Sequence, residues 1–257
     1  MDLKILGTLQ VSGDDGRPVY IHQPRLRQLL TVLLLHANRS LSVHELTVAL
    51  WDAPGEGPRA GAVRTHVWAL RKLLAPAERV SKDVSGYRFT VLPGELDLGR
   101  FQLLAEQGRR AMAEHKHHDA ESYLARALAS WSDPPLADLP ATPDAQITSR
   151  RLTGERDAVR ELLTDAKMAL GQHRDLVPEL EAQVAADPAN EQRWAQYLLA
   201  LYRSGQQVRA LDAYGQVRSM LTAEYGVDPG PGLRRLHLQI LRGDPALDPP
   251  PVEPAPV

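Results

Sequence analysis

The chain holds 257 residues, 43% hydrophobic and 24% charged, with a net charge of −2 and no cysteine. That length fits one large domain or two ordinary ones, and the lack of cysteine excludes disulfides, thiolate catalysis and cysteine-based zinc sites. The opening MDLKILGTLQVSG lacks the apolar core of a signal peptide, and no apolar run approaches the roughly 20 residues of a membrane span, so a cytoplasmic protein without a membrane partner is expected.

Lys4–Leu6, Leu9–Val11 and Val19–Ile21 are short β-prone pieces separated by Gly7 and the Gly13–Gly16 cluster. They predict a small antiparallel sheet. Pro24 then opens a helix, where its missing N–H does no harm. Leu26, Leu29, Leu30, Leu33 and Leu34 give that helix a wide apolar face, and Asn38 and Arg39 end it. Ser42 with Glu45 has the spacing of a capping box, so a second helix runs through Leu46, Leu50 and Trp51. The Gly/Pro-rich stretch Asp52–Gly61 is expected as loop.

Gly61–Ala75 is the third helix. Val63, Val67, Leu70 and Leu74 form one apolar stripe at helical spacing. Arg64, Thr65, Trp68, Arg71 and Lys72 project from the other side. Guanidinium groups on an exposed helix can grip phosphates and read guanine edges in a major groove; the bland alternative is an ordinary solvated face. His66 lies nearer the apolar stripe than the groove face, so a packing or hydrogen-bonding role is expected. Arg79–Ser81 and Gly86–Leu92 follow as a predicted hairpin ending at Pro93–Gly94. Three helices, the third one basic, and then a hairpin describe an α+β winged helix-turn-helix, whose third helix enters the major groove while the wing, carrying Lys82 and Arg88, lies against the neighbouring backbone or minor groove. Arg25, Arg27 and Arg59 are further candidates for phosphate contacts, set against simple surface solubility. Charge agrees: residues 1–95 carry a balance of +3 and residues 96–257 one of −5.

From Leu96 the pattern is helical to Gly243. Predicted helices cover Leu103–Glu114, Asp119–Trp131, Gln146–Leu170, Arg174–Ala186, Glu191–Ser204, Gln207–Tyr225 and Gly232–Leu241, with Asp133–Asp144 as loop. Gly171 and Gly205 lie 34 residues apart, each between two helices. Trp194, Tyr197, Leu201, Gly205, Ala210 and Tyr214 fall at the spacing of a tetratricopeptide repeat, so an all-α tetratricopeptide-like domain is expected. The stretch from Asp244 to Val257 holds six prolines and is read as a disordered tail. The expected division is therefore 1–95, 96–243 and 244–257.

Other chemistry finds little support. Glu114–Asp119, Glu-His-Lys-His-His-Asp, lacks a partner cluster and reads as a solvated turn, so no metal is expected. Neither a Gly-x-x-x-x-Gly-Lys-Ser/Thr phosphate loop nor a Gly-x-Ser-x-Gly elbow occurs. No catalytic residue, cofactor or enzyme activity is predicted.

The element order, the stretch AVRTHVWALRKLL and the run Gly86-Tyr87-Arg88-Phe89 resemble the OmpR/PhoB-type winged-helix family. That resemblance implies that Arg88 is the wing contact, that Tyr87 and Phe89 pack inward, and that the loop Asp52–Ala60 touches RNA polymerase. The family's usual receiver domain comes first, whereas the module here starts at residue 1, so no aspartate phosphorylation switch is expected. The stretch from Glu224 to Pro231, with Leu233, Leu236 and His237, is similar to the close of the SARP family, actinobacterial antibiotic-pathway activators. The resemblance covers about residues 1–243. It implies an activator that binds direct repeats in double-stranded promoter DNA near the −35 element as a homodimer and recruits RNA polymerase holoenzyme through a bacterial transcriptional activation domain. Two alternatives stand beside it: a tetratricopeptide adaptor whose winged helix binds protein, and a ligand-gated regulator.

Overall fold

The computed structural model describes residues 1–51, 58–74, 76–132 and 134–248, with Pro58 and Arg59 by backbone alone. These described residues are mostly helical, with two small antiparallel sheets. Contacts group the chain into two units, Met1–Glu106 with Ala125–Val159, and Gln107–Leu124 with the residues from Arg160 onward.

In the first unit, β1 (Asp2–Lys4) pairs antiparallel with β2 (Gln10–Ser12), Leu3 opposite Val11. The predicted third strand, Val19–Ile21, does not form. It reduces to a bridge between Ser12 and Pro18 and one bond from the Val19 N–H to the Val11 carbonyl, because Pro18 has no N–H with which to extend a ladder. The residues just past 95 are built into this sheet. Leu3 bridges Leu96 in parallel, and the buried Asp97 carboxylate accepts the N–H groups of Ile5 and Leu6 at 2.8–3.0 Å. Burial pushes the Asp97 carboxyl above its usual range, against the pull of those amide bonds. Glu95 behaves oppositely. Burial works to raise it, but the Arg79 guanidinium, in two bonds of 2.7 Å, and the Leu92 N–H hold it down to about 2.

Helices α1 (Pro24–Leu35), α2 (Val43–Trp51) and α3 (Pro58–Leu73) pack on one another. Leu29, Leu30, Leu33, Leu34, Leu46, Leu50, Val63, Val67 and Leu70 form their shared core. The capping box is present: the Glu45 N–H donates to Ser42 Oγ at 3.1 Å, and the Ser42 N–H to Glu45 Oε2 at 2.7 Å. α3 starts three residues earlier than predicted, because a proline in the first turn lacks only an N–H that has no helical partner there. The rest of the preceding loop, 52–57, and Ala75 lie outside the described residues.

A hairpin follows, β3 (Val80–Lys82) and β4 (Tyr87–Phe89), with Ser81 opposite Arg88 and Lys82 opposite Tyr87. Leu41 exchanges both backbone bonds with Tyr87 at 2.8 Å, which ties the hairpin to the connection between α1 and α2. Gly86 is required at this point. Its φ is +151°, and an added Cβ would sit 1.9 Å from the Leu41 carbonyl oxygen.

Helices α4 (Asp97–Ala113), α5 (His117–Leu128) and α6 (Pro143–Ala169) contribute residues to both units. α6 opens on Pro143, earlier than its periodicity suggests, again with proline in the first turn. In the second unit an added Cβ on Gly108 would meet the Leu124 side chain at 2.5 Å, so this glycine lets α4 and α5 approach. Then come α7 (His173–Ala186), α8 (Glu191–Arg203), α9 (Gln207–Met220) and α10 (Pro231–Arg242). α8 packs against α7, α9 and α10, and Leu180, Leu198, Leu201, Ala210, Val217 and Ile240 fill the space between them. Gly171 and Gly205, 34 residues apart, both adopt φ of +78°. After α9 the helix widens to a π turn, Leu221–Tyr225, which ends at Gly226. The tail predicted from Asp244 begins ordered: Pro245–Leu247 form a 3-10 turn and Leu247 is buried, its carbonyl accepting from Arg203 Nε at 2.8 Å. Residues 249–257 lie outside the described residues.

Candidate nucleic-acid interface

α3 separates its two faces cleanly. Val63, Val67 and Leu70, with Leu74 just past its end, are buried against the core. Arg64, Thr65, Trp68 and Lys72 lie on the exposed side, and Trp68 is 58% exposed. Lys72 Nζ sits 3.9 Å from the centre of the Trp68 ring, so each side chain restrains the other. Thr65 Oγ1 donates back to the Gly61 carbonyl at 3.2 Å.

Arg71 differs from the expectation. It is half-buried, and its Nε donates to the Val80 carbonyl at 2.8 Å. It fastens α3 to β3 and so sets where the hairpin stands beside the helix. Within the hairpin, Tyr87 and Phe89 are buried, as alternation requires, while Lys82 and Arg88 are exposed. The turn is fixed by Asp83, a residue that sequence reading passed over. Its carboxylate accepts the N–H groups of Ser85 and Gly86, at 2.8 and 3.0 Å, and the Ser40 hydroxyl. The Ser40 bond and then these amides lower its pKa. The signal was an Asp-x-Ser-Gly run, a common aspartate-initiated turn.

The outlying arginines divide. Arg27 is not available to a phosphate. Its guanidinium pairs with Asp138 at 2.5 and 3.0 Å and donates to the Leu9 carbonyl at 2.8 Å. Arg25 stays on the surface but donates to the Leu50 carbonyl at 2.6 Å and lies 5.3 Å from the Trp51 ring centre. His66 stacks on Trp51, with centroids 6.4 Å apart, and burial followed by the nearby Arg25 lowers its pKa. Trp51 therefore joins α1, α2 and α3 at one point. Arg59 falls in the first turn of α3, and its side chain lies outside what is described.

The exposed cations Arg64, Lys72, Lys82 and Arg88 thus belong to one helix and the hairpin that Arg71 fastens to it. This arrangement suits a polyanion: fixed donors on a rigid helix, with an aromatic and a hydroxyl among them. Among the described residues, no group of three or more His, Cys, Asp or Glu side chains could hold a metal ion, and no helix is long and apolar enough to cross a membrane.

Residues 96–241 match the family described as the bacterial transcriptional activator domain. The regulatory protein AfsR of Streptomyces coelicolor is 40% identical over 234 residues, covering 91% of this chain and 23% of AfsR. The regulatory protein DnrI of Streptomyces peucetius is 32% identical over 258 residues, covering 96% of this chain and 94% of DnrI. Among solved structures, Mycobacterium tuberculosis EmbR in complex with a low-affinity phosphopeptide superposes with a TM-score of 0.89 at 32% identity, over 95% of this chain and 65% of that one. The chain therefore spans about a quarter of AfsR and just under two thirds of EmbR. The class is that of transcriptional regulators. Within that class, the chain belongs to the SARP family of regulators and activators.

Proposed function

We propose that this chain is a sequence-specific DNA-binding activator of an antibiotic or other secondary-metabolite gene cluster. Residues 1–95 are the reading module, an OmpR/PhoB-type winged helix-turn-helix. Residues 96–243 are a tetratricopeptide-like bacterial transcriptional activation domain. α3 occupies a major groove, with Arg64 reading a base edge, Trp68 and Thr65 contacting thymine methyl groups or sugars, and Lys72 gripping a phosphate. Lys82 and Arg88 hold the wing to the duplex, and Arg71 positions the wing. Arg25 serves as a backbone contact beside the start of α1. Two copies bind head-to-tail on direct repeats near the −35 element and recruit RNA polymerase holoenzyme, without chemistry of their own.

The observation that carries this reading is the division of α3: a fully buried inner stripe, and an outer face that combines a guanidinium, a hydroxyl and a cation-stacked indole. The exposed indole, stacked on Lys72, adds a flat apolar surface to that cationic face. Footprinting on the DNA upstream of the neighbouring genes, with and without RNA polymerase, tests it. The expected result is protection of one repeat pair, strengthened by polymerase. Salt-insensitive or absent DNA affinity would overturn the reading.

A further inference from the structure

α10 also has a basic outward face, and the DNA-reading proposal makes no use of it. Its sequence is PGLRRLHLQILR. Leu233 and Ile240 are buried in the second unit, with Leu236 packed beside them, and His237 stacks on Tyr214 with centroids 3.8 Å apart. The opposite face presents Arg234, Arg235, Leu238, Leu241 and Arg242, and the two leucines are 47% and 55% exposed. The helix contains no carboxylate, and among the described residues no side-chain hydrogen bond or ion pair engages Arg234, Arg235 or Arg242, although Asp244 just past the helix feels the charge of Arg242. This cluster of three positive charges sits within a stretch, residues 96–257, whose overall balance is −5.

The helix is also held firmly. The Gly230 N–H before it donates to Glu191 Oε2 at 2.6 Å, Pro231 fills its first turn, and Gly243, at φ +62°, closes it. Gln207 Nε2 caps the Ile240 carbonyl at 2.7 Å. A partner would therefore meet a preformed surface, and little ordering entropy would be lost on its side.

We propose that this face docks an acidic, amphipathic segment of a protein partner. Leucines set between arginines ask for an occupant with both carboxylates and apolar side chains, the pattern of a helix laid along a helix. A phosphate backbone would cover Leu238 and Leu241 without apolar contact. Two half-exposed leucines are too few to anchor a helix in a lipid interface. A 12-residue helix is about 18 Å long, and one face of it falls short of the roughly 1,000 Å² that a stable interface between folded copies needs. The proposal uses residues of the second unit alone, so it stands or falls separately from the DNA reading.

The test uses the full chain and a fluorescent helical peptide of about four turns, with leucines on one side and glutamates flanking them. Two control peptides replace the leucines by serine or the glutamates by lysine. Anisotropy at physiological salt is expected to show binding of the first peptide only. Leu238→Glu and Arg235→Glu should each weaken it about tenfold or more, while Arg235→Lys retains most of it. These side chains are exposed, so thermal unfolding should not change. Equal binding by the variants, or by the serine peptide, would overturn the proposal. So would Leu238-dependent binding to phosphatidylglycerol vesicles, or Leu238-dependent self-association.

Discussion

α3 and α10 solve the same local problem in different ways. Each buries an aliphatic stripe, Val63, Val67 and Leu70 in one and Leu233 and Ile240 in the other, and each turns cations outward, Arg64 and Lys72 in one and Arg234, Arg235 and Arg242 in the other. They differ in what stands between the cations. α3 carries a threonine and a tryptophan stacked on Lys72, and a hairpin with two more cations is fastened to it through Arg71. α10 carries two leucines, and among the described residues no cationic hairpin is tied to it. A basic face is thus not one kind of surface. Flat and hydroxyl-bearing groups suit sugars, base edges and methyl groups, whereas branched aliphatics suit another protein.

The comparison breaks most visibly where the inner stripes are cut. Ile240→Ala should cost about 2–5 kcal/mol by leaving a cavity under α10. Val67→Ala should cost somewhat less, since fewer atoms are removed. If chemical denaturation gives equal losses for a third substitution, Leu241→Ala, then the assignment of faces on α10 is wrong.

Acid should separate two particular carboxylates next, Glu95 of the first unit and Asp165 of the second. The Glu95 pKa near 2 lies well below its ordinary 4.5, so its ion pair stabilises the fold fully above about pH 5. That contribution is lost as pH falls toward 2, and it amounts to about 3 kcal/mol. In the second unit, burial raises the Asp165 carboxyl despite a 2.7 Å bond from Gln196, so protonation there favours folding. Glu95→Gln should flatten the acid limb of a stability profile for the first unit, followed by hydrogen exchange at the amides of Leu92 and Leu3. An unchanged limb would reject the ion pair as its cause.

Sharpening α3 as a reading surface calls for smaller effects. Arg64→Ala should lose about 1–3 kcal/mol for the cognate site and much less for unrelated DNA. A uniform loss across sequences would demote Arg64 to a backbone contact. Lys72→Ala should have the smallest effect, weakening all sequences alike and lowering the salt slope by about one. Neither change should alter binding of the acidic peptide to α10.

Much of this was legible from residue order because it depends on near neighbours. The Ser42–Glu45 capping box, the stripe on α3, the inward Tyr87 and Phe89, and the glycine pair at 171 and 205 are all set by spacing within a turn or a repeat. Boundaries were less legible where proline starts a helix, as at Pro58 and Pro143, because a proline-rich stretch reads as loop until the helix after it is known. The third N-terminal strand failed for an equally local reason, the missing N–H of Pro18.

The cations were the hard part. In the sequence, Arg25, Arg27, Arg64, Arg71 and Arg88 are alike. The fold engages Arg27 with Asp138, 111 residues away, and Arg71 with a strand carbonyl, and leaves Arg64 and Arg88 exposed. Sequence by itself determined which faces are apolar, where helices are capped, and which family the chain resembles, because periodicity and capping are short-range. Only the tertiary structure decided which charges remain available to a partner. A guanidinium takes whichever acceptor the fold brings within about 3 Å, and that acceptor can come from anywhere in the chain.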